Sequence, residues 1–274
     1  MTLVVAWIAV DTHGPSSAYI ASDSRISWGD KHNFDYGRKV FAFNNSPDII
    51  AYCGDVLFPS IVLSQIVEMA DCGLLFKGNY SSKQKFEAIH GTLVETFLKY
   101  PNEVSTITNE SLQIIYISRE SNDNKQFYCH TIKWHRDLGW QDERIQLPEK
   151  SGLLFAMGSG REEFNVNYIR YQRGLNENTS RNVFQCFCDT LFNINDKYCG
   201  GAPQLVGLFR KPNSNAKKFG IIKDDKRFLF GAYIDKLANF DNIEWRNEQF
   251  ELCDGLSMQK IETAQPQPDI LRKK

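Results

Sequence analysis

Residues 3–10, Leu-Val-Val-Ala-Trp-Ile-Ala-Val, are apolar throughout and rich in β-branched and aromatic side chains. A strand of that composition, with no polar alternation, is buried on both faces. The chain must therefore supply a layer of structure on each side of it. Thr2 stands directly ahead, behind the methionine. Aminopeptidases remove Met when the next residue is as small as Thr, which leaves a hydroxyl and a free α-amine on one residue. The amine can then act as general base for its own side chain. With an unperturbed pKa of about 7.7–8.0, a useful fraction of it is neutral near pH 7. Taken alone Thr2 is an ordinary start residue, and its partners downstream decide the matter.

The 274 residues suffice for one large domain, and a content of 42% hydrophobic residues with 24% charged is that of a soluble globular core. A formal charge of −1 argues against a general nucleic-acid or membrane-surface binder, since both need a basic excess. The apolar start is cut by Asp11 and His13, unlike a signal peptide. Seven cysteines form an odd set, and Cys186-Phe187-Cys188 lacks the usual zinc spacing. Reduced cysteines in a cytoplasmic protein are expected, with no metal and no cofactor.

The pattern predicts a hairpin from residues 3–10 and 18–22 and a loop over 28–37. A second hairpin joins 39–43 to 48–53 around Asn44-Asn45-Ser46-Pro47. A helix begins near Pro59, with Ile61, Val62, Ile66 and Met69 at helical spacing. Another runs over 81–100 with Phe86, Ile89, Leu93, Phe97 and Leu98 on one face. Strands follow at 112–117, 127–134, 140–147 and 153–157. Helices at 162–172 and 179–195 come next, Thr179 being the N-cap, then strands at 205–210, 218–222 and 228–232. Helices segregated from antiparallel strands predict an α+β layered domain. After about residue 240 the composition turns polar, and Gln265-Pro266-Gln267-Pro268 fits neither a helix nor a central strand. Residues 1–239 are read as the domain and 240–274 as an extension lying on a neighbour or disordered.

Rival catalytic schemes find little support. No G-x-S-x-G elbow is present. His130 and His135 have no metal-ligand spacing and are expected on the surface. Gly158-Ser159-Gly160 is too short a match for a phosphate loop and lacks a lysine.

Six pieces line up in order: Thr2, Asp23-Ser24-Arg25, Arg38-Lys39-Val40, Tyr52-Cys53-Gly54, Gly158-Ser159-Gly160 and Asp196-Lys197-Tyr198-Cys199-Gly200-Gly201. In this order the chain resembles the β-type subunits of the proteasome and the related bacterial threonine peptidases of the Anbu type, over roughly residues 2–235. The resemblance implies a four-layer αββα sandwich, the N-terminal-nucleophile (Ntn) hydrolase fold.

It also implies roles. Thr2 is the nucleophile, Lys39 the cation beside it, and Asp23 the carboxylate that holds Lys39. Gly54 supplies an oxyanion-hole N–H. Ser159, Asp196 and Cys199 surround the α-amine, with Cys199 where the family usually has Ser, a stronger hydrogen-bonding group. Gly37, Phe41, Tyr52 and Val56 are placed around the pocket for the substrate side chain before the scissile bond; the alternative puts Phe41 and Tyr52 in the inter-sheet core.

The implied function is a threonine peptidase acting on peptides or unfolded protein, in a homo-oligomeric ring or helical array. An unfoldase partner is admitted but not required. A catalytically silent scaffold subunit and an Ntn amidase of a small non-peptide substrate are the alternatives.

Overall fold

The computed structural model describes residues 2–29, 31–78, 80–101, 111–120, 126–211, 214–235 and 239–265. Met1 and the Gln-Pro repeat beyond residue 265 lie outside the described residues.

In chain order the elements are β1 (Val4–Asp11), β2 (Gly14–Ser22), β3 (Ile26–Trp28), β4 (His32–Phe34), β5 (Val40–Ala42), β6 (Asp48–Gly54), α1 (Leu57–Asp71) and α2 (Ser82–Lys99). Then come β7 (Ser111–Arg119), β8 (Phe127–His135), β9 (Gly139–Ile145), β10 (Gly152–Met157), α3 (Arg161–Tyr171) and α4 (Ser180–Asn193). The chain continues through β11 (Gln204–Phe209), β12 (Lys217–Lys223), β13 (Lys226–Leu229), β14 (Ala232–Ile234), β15 (Glu244–Asn247) and β16 (Leu252–Cys253). One sheet runs β10-β1-β2-β11-β12-β13-β14, with β15 on β12 and β16 on β15; a second runs β5-β6-β7-β8-β9.

Strand β1 shows why its sequence does not alternate. Leu3, Val5 and Trp7 pack toward α3 and α4 with Phe164, Phe184 and Phe187. Val4, Ala6 and Ile8 meet Val40, Ile49 and Ala51 of the second sheet. That sheet's other face, through Ile50, Tyr52, Ile114 and Tyr116, packs on Phe58, Ile66, Phe86 and Leu93 of α1 and α2. The order of layers is helix pair, sheet, sheet, helix pair, an αββα sandwich.

Local chemistry sets the helix ends. Ser81 caps α2 in a reciprocal capping box with Gln84. Thr179 caps α4 by accepting from the Asn182 N–H. The Asp55 carboxylate accepts from the Phe58 N–H at 3.2 Å in the first turn of α1, and burial raises its pKa.

Several expectations need correction. Residues 28–37 are not all loop, because β3 and β4 pair as a short hairpin around the positive-φ turn at Gly29. Ile61 and Leu98 face solvent. The inward stripe of α1 is Phe58, Val62 and Ile66, and Phe97 on α2 turns its neighbour Leu98 outward.

Within the described residues, the segment after residue 240 packs on its own chain. β15 runs parallel to β12, and Trp245 packs so closely over Gly220 that a Cβ there would lie 2.2 Å from the indole. The Trp245 Nε1–H donates to the Phe240 carbonyl.

His130 is also buried, at 8% exposure, with its ring stacked 4.0 Å from Phe86. His135, at the end of β8, keeps a part-exposed side chain. Burial first, then the Arg144 guanidinium, lower the His130 pKa to about 4. An unfolded histidine titrates near about 6.5. As pH falls from there to about 4, the unfolded chain takes up a proton that the folded one refuses, so stability is lost across that window. The loss should reach about 3 kcal/mol. Denaturant unfolding at several pH values should show this slope in the wild type and a flatter one in His130→Phe.

Candidate active site

Thr2 and Leu3 lead into β1 and are buried. Glycines make room for them. A Cβ on Gly158, whose φ is +95°, would sit 1.9 Å from the Thr2 carbonyl oxygen. One on Gly160 would meet Cys199 Sγ and the Leu3 Cβ, each at 3.1 Å. The Gly158-Ser159-Gly160 stretch is therefore a close-packing seat, and the Ser159 Oγ accepts from the Thr2 N–H at 3.3 Å.

Asp23, just past β2, and Lys39, just before β5, are both fully buried. The Lys39 ammonium donates to Thr2 Oγ1 at 2.7 Å and to Asp23 Oδ1 at 2.9 Å. Asp23 Oδ1 also accepts from the Leu3 N–H, and Oδ2 accepts from the N–H groups of Arg25 and Gly200. One carboxylate thus fixes three backbone segments and the lysine. Charge-assisted bonds of this kind are about twice as strong as neutral ones.

Behind Asp23, Arg25 forms a bidentate pair with Asp35 and donates to the carbonyls of Lys197 and Cys199. That pairing lowers the Asp35 pKa. A Cβ on Gly200 would lie 2.4 Å from the Arg25 Cζ. The two glycines of this turn are thus required by contact with the arginine and with Ser24.

Asp196 accepts from Cys199 Sγ at 3.4 Å and from the Tyr198 N–H at 3.0 Å, while Cys199 Sγ lies 3.8 Å from Ser159 Oγ. Ser159, Cys199 and Asp196 are therefore contiguous, and Ser159 reaches Thr2. Burial, followed by the Asp23 and Asp196 charges, pushes the Cys199 thiol well up; it stays a protonated, weak partner. Burial likewise pushes Cys53 up to about 12. Of the seven cysteines Cys72 alone is exposed. Iodoacetamide on the native protein should label Cys72 and spare the other six until unfolding, as read by peptide mapping. Fast labelling of Cys199 would contradict the packing around Ser159.

Gly54 closes β6 with a φ of +96°, a conformation glycine adopts without strain. Two residues earlier, the Tyr52 N–H donates to the Lys39 carbonyl at 3.2 Å, tying this strand to the lysine.

The pocket residues are different. Phe41 and Tyr52 are 2% and 1% exposed and fill the core between the second sheet and α1 and α2, with Val56 packed against the same cluster. The cause is strand alternation. Val40, Ala42, Ala51 and Cys53 take the inter-sheet face, which leaves Phe41 and Tyr52 facing the helices rather than the nine-stranded sheet. The Tyr52 hydroxyl is occupied, donating to the Arg38 carbonyl. Gly37 is packed under Ile26, where a Cβ would lie 2.3 Å from Cδ1. Phe41 and Tyr52 are packing residues, not the walls of an open pocket.

The sequence reading misses Gln204, a buried amide at the start of β11 that contacts the backbone of both Asp23 and Lys39. The available signal is one polar residue opening an otherwise apolar run, just after Gly200-Gly201.

No family model and no curated protein matches the sequence. Solved structures do match. Anbu (ancestral beta-subunit) from Yersinia bercovieri is similar with a TM-score of 0.55 and 12% identity, over 79% of this chain and 86% of that one. The structure described as the helical assembly of the Anbu complex from Pseudomonas aeruginosa gives a TM-score of 0.56 and 13% identity, over 87% and 89%. Identity this low speaks to the fold. The chain has the four-layer fold of the proteasome β-subunit-like Ntn hydrolases.

Proposed function

We propose that this chain is a threonine-type peptidase in which Thr2, freed of Met1, is the nucleophile. The observation that carries the reading is the buried Lys39 ammonium, 2.7 Å from Thr2 Oγ1 and 2.9 Å from Asp23 Oδ1. A dry cation held against a hydroxyl by a single carboxylate favours negative charge on that oxygen.

In the proposed reaction the Thr2 α-amine takes the Oγ1 proton as Oγ1 attacks the peptide carbonyl. The oxyanion is met by the Gly54 N–H. The amine then passes its proton to the leaving amine, and an ester between Thr2 and the acyl part remains. Water, deprotonated by the same amine, hydrolyses the ester and restores the hydroxyl. Ser159, backed by Cys199 and Asp196, orients the amine. Lys39 stabilises the charge that develops on Oγ1, and Asp23 orients Lys39.

The proposed setting is a cytoplasmic homo-oligomer, a ring or helical array with its sites facing an enclosed space, taking peptides or unfolded chains. The assembled state described for the Pseudomonas aeruginosa relative supports this. Among the described residues no helix is long and apolar enough to cross a membrane.

The test pairs light scattering with a panel of fluorogenic peptides and small non-peptide amides. Peptide hydrolysis by an oligomer is expected. Turnover of small amides alone would move the protein to the amidase class, and an assembly inert toward both would make it a scaffold.

A further inference from the structure

Gln204 opens β11 beside the end of β2 and is fully buried. Its amide makes three hydrogen bonds. Oε1 accepts from the Lys39 N–H at 3.1 Å, and Nε2 donates to the carbonyls of Asp23 at 2.9 Å and Gly37 at 2.8 Å. Asp23 follows a strand of the nine-stranded sheet, whereas Lys39 precedes a strand of the five-stranded one. The two charges at the site therefore ride on different sheets. One side chain holds the backbone of both, reinforcing the single Gly37 N–H to Ser24 carbonyl bond nearby.

We infer that Gln204 is a positioning residue, setting the separation and aim of the Lys39–Asp23 pair and hence the reach of the ammonium to Thr2 Oγ1. The inference rests on the hydrolase reading above. The chemistry selects a glutamine. The site needs one acceptor and two donors on a planar group, which an amide supplies and an ionised carboxylate does not. Asparagine is one methylene shorter. A leucine of similar bulk leaves one buried N–H and two carbonyls without their partner. A core amide that merely satisfied strand ends would affect stability alone. A positioning amide must also affect the rate at which Thr2 reacts, since a misplacement of about 1 Å at a reacting group can cost about 10²-fold.

The test uses the full chain as wild type, Gln204→Leu and Gln204→Glu, with a peptidyl epoxyketone as probe. Its ketone and epoxide carbons can be captured by one hydroxyl and one amine. Intact mass followed against probe concentration separates binding from the capture rate.

Gln204→Leu is expected to lower the capture rate about 10²-fold at unchanged half-saturation. Gln204→Glu should match it at high pH and gain on it as pH falls. The buried carboxyl has a raised pKa, and once protonated it again donates one bond while accepting from the Lys39 N–H. Unchanged capture in a merely less stable Gln204→Leu, or a Glu-to-Leu ratio flat with pH, overturns the inference. If Gln204→Leu does not fold, the pH profile of Gln204→Glu against wild type decides alone.

If the wild type itself forms no adduct, the threonine-nucleophile reading fails, and a crystal structure of Gln204→Leu judges the amide separately. A Lys39–Asp23 separation beyond hydrogen-bond reach supports positioning, and one still near 2.9 Å overturns it.

Discussion

Thr2→Ala should abolish hydrolysis while leaving the fold and the assembly intact. The mutation deletes the attacking oxygen and the acceptor of the Lys39 ammonium, but not the backbone contacts that seat residue 2 against Gly158 and Ser159. Loss of a hydroxyl nucleophile that works with its base as a unit costs on the order of 10⁶ in rate. Thr2→Ser keeps both hydroxyl and amine and should retain measurable turnover. It should be slower, because a serine lacks the methyl group that limits the side chain's rotamers. Peptide hydrolysis assays on size-matched oligomers check both. Full activity in Thr2→Ala would move the chemistry elsewhere in the molecule.

Lys39→Ala is the second large effect. With the ammonium gone, negative charge developing on Oγ1 loses its partner in a dry site, a loss of about 10²–10³ in turnover. Folding should suffer less than the usual about 3–5 kcal/mol for a broken buried pair. The Asp23 carboxylate keeps the N–H groups of Leu3, Arg25 and Gly200, so its charge is not left bare. Asp23→Asn should produce a related defect, since its amide would present an NH₂ to groups that are all donors. Turnover near wild type in a folded Lys39→Ala would place the lysine outside the reaction.

The layer order is legible in the sequence because β1 carries apolar side chains on both faces, and only a strand between two cores tolerates Val4 beside Val5 and Ala6 beside Trp7. The Thr2, Asp23 and Lys39 cluster is legible as an ordered set of short motifs, each tied to a strand end. Side-chain direction on β5 and β6 is harder to read. Both faces of that sheet are buried, so no polar residue marks which way Phe41 and Tyr52 point. His130 is misread for a related reason. A histidine on a strand, with no metal-ligand spacing, reads as a surface residue, whereas Phe86 of α2 covers the ring. Gln204 is marked only by its place ahead of an apolar run, because its partners are backbone groups of residues far away in sequence and such contacts leave no periodicity. The docking of β15 escapes because its cue is a single Trp245 in polar surroundings.

The proposed chemistry depends throughout on a free α-amine at Thr2. Intact mass of the purified protein, before and after treatment with a peptidyl epoxyketone, tests it most directly. The expected result is a mass lacking Met1 and then one added probe, mapped to Thr2 through both hydroxyl and amine and absent from Thr2→Ala. A hydrolytically active protein that retains Met1, or an adduct that persists in Thr2→Ala, would contradict it.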